Sequence, residues 1–374
     1  MSEYQYYEFQ AIDRPLNEKD RQALRNLSTR ARITATSFTN TYDWGDFKGD
    51  PVRLMEQWFD LHLHVTSWGS RRLMIRWPER MIDCLAIESF LGGVDCVRQR
   101  IVGGNLILDI CGEDIEAEDW DDGSGWLAAM TPLRGDVLAG DLRLFYFLWL
   151  MAVDAGACEP DELEPLPGIG PLTGALEAFA EFFQINPDLV AAAAERPLDP
   201  IATAASEPSR AMISGLPEET KTHLLTRLFE GDPHVALELK SLVRQSQTSK
   251  ARPVARRTVG KLRARADATR RAREREERAK LEAEARQRAE EAERLRRARL
   301  DAVKRRGESV WREIANEIDR RNASAYDRAA SLLVDLRTVA EEAGALEDFR
   351  RRLNAIRARH ARKERFIDRL KALG

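Results

Sequence analysis

From Val259 to Arg306 the chain consists almost wholly of Arg, Glu and Ala. Ala and the long straight-chain residues lose least on entering a helix, and this stretch has too little apolar surface to join a core. Its leucines are few: Leu262, Leu281, Leu295 and Leu300. A heptad seam through 281, 285, 288, 292, 295 and 299 carries Leu, Ala, Arg, Ala, Leu and Arg. Two arginines in that seam make a poor coiled coil. The stretch does offer i,i+4 pairs: Arg270–Glu274, Glu276–Lys280, Glu282–Arg286, Glu284–Arg288, Glu290–Arg294 and Glu293–Arg297. Each contributes roughly a few tenths of a kcal/mol. The reading is a solvated single helix over 258–320, roughly 90 Å long at 1.5 Å per residue.

This helix opens a basic block. Residues 1–240 hold 21 Lys+Arg against 40 Asp+Glu, and residues 241–374 hold 38 against 22. The formal net charge of −3 hides two opposed halves, a pattern expected of an interaction protein. Seven of the 8 Trp and all 4 Cys lie in the first 240 residues, so the main core belongs there. The longest apolar run, Leu142–Val153, is interrupted by Arg143 and fits a buried core helix better than a membrane span. The start Met1-Ser2-Glu3-Tyr4 lacks the basic region and apolar run of a secretory leader. Cys84, Cys96, Cys111 and Cys158 show no CxxC pairing. The expectation is a cytoplasmic bacterial protein with reduced thiols, no membrane segment, no metal and no cofactor.

Tyr4–Ile12 alternates and is aromatic-rich, which favours a strand. Pro15–Arg30 has helical spacing, Arg32–Tyr42 is β-branched and reads as a second strand, and Leu73–Trp77 as a third. Asp50-Pro51 marks a helix start, with the helix running through Leu54, Met55, Trp58 and Phe59. Val97–Val102 and Asn105–Cys111 flank Gly103-Gly104 and predict a hairpin with a two-residue turn. A single long helix is expected from Leu127 to Ala155. This order gives an α+β domain over 1–155 rather than a run of βαβ units. Residues 156–245 read as helical, with starts at Asn186-Pro187 and Asp232-Pro233. Residues 246–257 read as a linker. The long charged helix spans 258–320, and a helical-hairpin tail, turning at Gly344, spans 323–374.

In the tail, Tyr326-Asp327-Arg328-Ala329 is followed by Leu333, Leu336, Phe349, Leu353 and Leu370. This stretch resembles the helical tail that follows the zinc-binding segment in some bacterial SWIM zinc-finger proteins. The opening EYQYYEFQAIDRPL resembles the start of an uncharacterised bacterial family. The resemblance implies a tetratricopeptide-like protein-binding tail, with Leu333, Leu336, Phe349, Leu353 and Ile356 as its contact residues. The Cys-x-Cys and Cys-x-His pairs of a SWIM site are absent from this sequence, so no zinc ligand is carried over.

Pro167-Gly168-Ile169-Gly170-Pro171 has the glycine spacing of a helix-hairpin-helix turn. The prolines and carboxylates just before it favour a plain turn that starts a helix at Pro171 or Leu172. His62-x-His64 would chelate a metal only on an extended segment, where both imidazoles share a face; the stretch reads instead as the end of a helix, with the histidines beside Trp58 and Trp68. Seven carboxylates between Gly112 and Gly125 fail the EF-hand spacing and suit a solvated loop or an acidic docking surface. No GxSxG, GxxxxGK[ST], GxGxxG or HExxH occurs, and no catalytic residue is assigned.

The basic start of the long helix has three readings: a solvated spacer, a strip that docks on an acidic protein, or a nucleic-acid surface. The last would use Arg256, Arg257, Lys261, Arg263, Arg265, Arg270, Arg271 and Arg273. The expected function is a non-enzymatic adaptor or spacer that binds protein partners through its ends. The alternative is an accessory protein of nucleic-acid metabolism. An enzyme would need the N-terminal aromatics Tyr42, Trp44, Trp68, Trp77, Trp120 and Trp126 to converge on a pocket.

Overall fold

The computed structural model of the chain describes residues 4–115, 121–198, 213–248 and 255–371. Two compact units divide the chain, Met1–Ala272 and Arg273–Gly374.

Among the described residues of the first unit, seven strands form one sheet in the order β2-β3-β1-β4-β5-β7-β6. They are β1 (Gln5–Gln10), β2 (Arg32–Ile33), β3 (Ser37–Tyr42), β4 (Leu61–Thr66), β5 (Arg71–Pro78), β6 (Val97–Val102) and β7 (Asn105–Gly112). Every pairing is antiparallel, with Phe9 opposite both Phe38 and His62, and Leu73 opposite Ile110. Alternate residues of a strand face opposite sides. One face carries Leu61, Leu63, Leu73, Ile75, Leu108 and Ile110 into the larger core. The other carries Tyr7, Phe9, Phe38, Met74 and Ile107 into a smaller one, closed by α1 (Glu18–Leu27) and α2 (Pro51–Gln57). The α+β architecture is therefore as the sequence implied.

The β-branched run 32–42 is two strands rather than one, because Thr34–Thr36 turn the chain back: the Thr34 amide donates to the Ser37 carbonyl at 2.9 Å. Asp50 caps α2 through the Val52 amide at 2.9 Å, but that helix ends at Gln57. His62 and His64 therefore lie on β4, an extended segment, and not at a helix end.

The larger core is covered by α3 (Cys84–Leu91), α4 (Trp126–Met130), α5 (Pro132–Leu138), α6 (Arg143–Asp154), α7 (Gly174–Phe182) and α8 (Pro187–Ala194). The single helix expected over 127–155 is three. Pro132 lacks the N–H needed to continue a helix and its ring clashes with the preceding turn. Gly140, at φ +83°, ends the second piece. The apolar run became α6, buried on nearly every side from Leu144 to Leu150. Gly168 and Gly170 serve close packing. A Cβ at either would stand 2.3 Å from the Arg196 carbonyl oxygen or 2.1 Å from that of Ala194. The Gly170 amide donates to the Arg196 carbonyl at 3.0 Å, and α7 begins later than expected, at Gly174 capped by Thr173. Helices α9 (Glu218–Phe229) and α10 (Val235–Thr248) follow.

The long helix α11 runs unbroken from Val259 to Arg306. Its first turns are not solvated: Val259, Leu262 and Ala266 are buried in the larger core of the first unit. Gly307, at φ +49° and ψ −123°, ends it, a conformation that glycine adopts readily and side-chain-bearing residues avoid. The helix expected over 258–320 therefore stops at Arg306.

In the second unit, α12 (Glu308–Asp319), α13 (Ala323–Glu342), α14 (Leu346–Arg359) and α15 (Glu364–Leu370) share one core with Val303 of α11. The hairpin expected in the tail is α13 and α14, joined at Gly344 with φ +66°. Its second arm breaks at His360, and α12 adds Val310, Ile314 and Ile318 to the same core. Trp311 packs on Phe349 with ring centroids 5.9 Å apart, and Tyr326 on Phe366 at 5.5 Å.

Candidate functional site

Of the eight basic residues around the start of α11, Arg257, Arg263, Arg265 and Arg270 make the following contacts within the protein. Arg257 is buried against Glu164, whose carboxylate is fully enclosed. The Arg257 guanidinium donates to Glu164 Oε2 at 2.9 Å and to the Ala192 carbonyl at 2.7 Å, and its backbone amide donates to Glu164 Oε1 at 2.8 Å. Tyr146 donates its hydroxyl to the same carboxylate at 2.8 Å; burial and the Glu164 charge push that phenol far above its ordinary range. Arg263 donates to the Val153 carbonyl at 2.6 Å. Arg265 pairs with Glu195 at 2.6 Å, and Arg270 with Asp267 at 2.8 Å. Arg256, Lys261, Arg271 and Arg273 remain on the surface. The Val259 and Gly260 amides donate to the Glu162 and Pro160 carbonyls, each at 2.8 Å. The stretch read as a linker thus ends in an anchor; its residues 249–254 lie outside the described residues.

Beyond that anchor, α11 is exposed. Leu281 and Leu295 are 67% and 61% accessible. Glu284–Arg288 and Glu293–Arg297 close at 3.5 and 2.9 Å.

A charged network that the sequence did not reveal ties α9 and α10 to the sheet. Fully buried Asp60 accepts from the Ile12 and Asp13 amides at 2.6 and 2.9 Å and from Arg76 at 2.8 Å. Asp13 in turn meets Arg134 at 2.6 Å and His234 at 2.9 Å. Burial raises the Asp13 carboxyl, but His234 and Arg134 outweigh it and hold it below the usual range. Arg80 and Arg227 both reach Asp232 at 2.8 Å. Asp13 and Arg134 are 121 positions apart, so no local pattern announces their contact. His234 is buried and its ring is spent on Asp13, which suits a clamp better than a general base.

On β4, His62 stacks on Phe9 at 3.9 Å and His64 on Tyr7 at 4.1 Å, rather than beside Trp58 and Trp68. Burial holds His62 well below its ordinary range, and burial with Arg72 lowers His64 to about 4. Both rings are neutral near pH 7 and work as aromatic packing. Among the described residues, no three His, Cys, Asp or Glu side chains converge as metal ligands. Cys96 and Cys111 do oppose each other across the hairpin, the Cys111 amide donating to the Cys96 carbonyl at 2.9 Å. Burial and Asp109 raise the Cys111 thiol to about 11, which leaves it protonated and a poor nucleophile.

Among the described residues, the aromatic residues that would mark an enzyme pocket do not converge. Trp77 is buried and donates to the Arg134 carbonyl at 3.0 Å, Trp44 and Trp68 are exposed, and Trp126 donates to Asp121 at 2.9 Å. Trp120 lies outside the described residues, as do Glu116, Glu118 and Asp119 of the acidic loop. In the tail, Leu333, Leu336, Phe349 and Leu353 are buried and Ile356 packs against them. The first four belong to the core of the second unit, and Ile356 is partly buried against it.

Leu225, Leu228 and Phe229 make an exposed apolar stripe on α9. On the sheet, Arg72, Arg98, Arg100 and Asp109 rim a groove of about 410 Å³ over Met74 and Ile107, beside β6, which is exposed along nearly its whole length. No known protein family, curated protein sequence or solved structure matches this chain. Among the described residues, no helix is long and apolar enough to cross a membrane.

Proposed function

We propose that this protein is a non-enzymatic adaptor in which α11 is a stiff spacer and the folded units at its ends bind protein partners. The observation that carries the reading is the contrast along α11. Val259, Leu262 and Ala266 are buried at its start and Val303 near its end, while every residue from Arg271 to Glu282 is exposed. A helix that only completed a core would bury a stripe along its length. The spent basic residues and the internal Arg257–Glu164 pair weigh against the nucleic-acid alternative. The scattered aromatic residues weigh against an enzyme.

Deleting 275–292 removes about five full turns at 3.6 residues each and keeps the helix in phase. A spacer tolerates this with both units folded and their unfolding midpoints unchanged. Loss of folded structure in either unit would show that the exposed stretch has a structural role and refute the reading.

A further inference from the structure

We propose that β6 is a docking strand for an extended acidic peptide, which adds to the open edge of the sheet and sets carboxylates against Arg98 and Arg100. This names the partner chemistry of the first unit and rests on the adaptor reading.

Among the described residues, β6 has β7 as its one sheet neighbour. The Gly103-Gly104 turn, with both φ positive, closes the hairpin between Val102 and Asn105. The Cys111-to-Cys96 bond fixes which residues face β7. In an antiparallel ladder hydrogen-bonded positions alternate, so Cys96, Arg98, Arg100 and Val102 bond to β7. Val97, Gln99 and Ile101 then turn their N–H and C=O groups away from the sheet. An edge of this kind is a template for another strand. It carries no proline, and Ile101 and Val102 are both exposed.

Charge selects the occupant. Arg98 and Arg100 share one face with Arg72 and the groove beside it. Arg72 is already satisfied by Asp109, through two bonds of 2.7 Å. Arg100 meets Glu56 at 3.2 Å with its side chain more than half exposed, and Arg98 has no ion pair among the described residues. A second copy of β6 is a poor partner. In any antiparallel register that pairs two or more of the outward-facing residues, an arginine of one strand stands opposite an arginine of the other. Like charges so placed are destabilising. A strand with Glu or Asp at alternate positions meets both arginines and uses the same backbone groups.

The test is a fluorescence-anisotropy titration of the full chain with a labelled peptide alternating Val and Glu. The controls are its Val-Lys counterpart and a Val-Glu peptide N-methylated at alternate amides. The Val-Glu peptide should bind, and either control should lose about tenfold or more in affinity, because backbone bonds and charge both contribute. Gln99→Pro removes one outward N–H and leaves the β7 ladder intact, so it should cut Val-Glu binding as strongly. Arg98→Glu with Arg100→Glu should reverse the preference toward the Val-Lys peptide. Equal binding of the two charges, or insensitivity to Gln99→Pro in a folded variant, overturns the proposal. So does self-association that Gln99→Pro abolishes, which would make the occupant a second copy. If the peptide fails while the 275–292 deletion still leaves both units folded, the docking strand is lost and the adaptor stands.

Discussion

Arg257 and Glu164 are 93 positions apart in the chain and meet at 2.9 Å inside the first unit. Together they close the segment before α11 onto α8 and α6, beside the buried first two turns of that helix. Removing one partner of a buried pair leaves an uncompensated charge, which costs about 3–5 kcal/mol. Arg257→Ala should therefore lower the urea midpoint of the first unit sharply. Replacing both residues with apolar ones, Arg257→Met with Glu164→Leu, should recover most of that loss. Equal destabilisation by the single and double variants would show that the pair itself is not what matters.

His64 gives the first unit a pH dependence. Its folded-state value, about 4, lies below the ordinary 6.5 because of burial and Arg72. The folded state therefore binds fewer protons than the unfolded state between those values. The stability is fully present above pH 6.5 and is lost as pH falls toward 4. Between pH 7.5 and pH 5 the His64 share of the loss should be on the order of 2 kcal/mol, and buried His62 adds to it in the same direction. His64→Gln should flatten this part of the profile in paired urea titrations, and an unchanged slope would refute the assignment.

Leucines of the same chain should respond very differently according to where they sit. Leu333 is fully buried in the second unit, and Leu333→Ala should cost about 2–5 kcal/mol. Leu281→Ala and Leu295→Ala, on exposed positions of α11, should stay within about 0.5 kcal/mol. Trp311, packed on Phe349, reports unfolding of the second unit by fluorescence.

The sequence was most legible where local chemistry decides the outcome. Gly103-Gly104 declared its hairpin, Asp50-Pro51 and Asn186-Pro187 their helix starts, and Leu142–Val153 its burial. It was least legible where distant partners decide. Arg257 follows a polar run that reads as a linker, and nothing near it in sequence points to Glu164. His62 and His64 follow α2 so closely that only pairing with β1 shows them to be on a strand. The tail leucines were recognised as an apolar face, but periodicity alone cannot tell a face that meets a partner from one that meets α12. The open edge at β6 was equally hidden, since strand order is not written in any one strand.

The spacer is tested most directly by a distance within α11 itself. Lys261→Cys and Lys304→Cys place spin labels on exposed positions 43 residues apart, in a background with the four native cysteines replaced. Double electron–electron resonance should give one narrow distribution centred near about 65 Å, the rise of a continuous helix at 1.5 Å per residue. A broad distribution, or one centred well below that distance, would contradict a stiff spacer and with it the account of this protein as an adaptor.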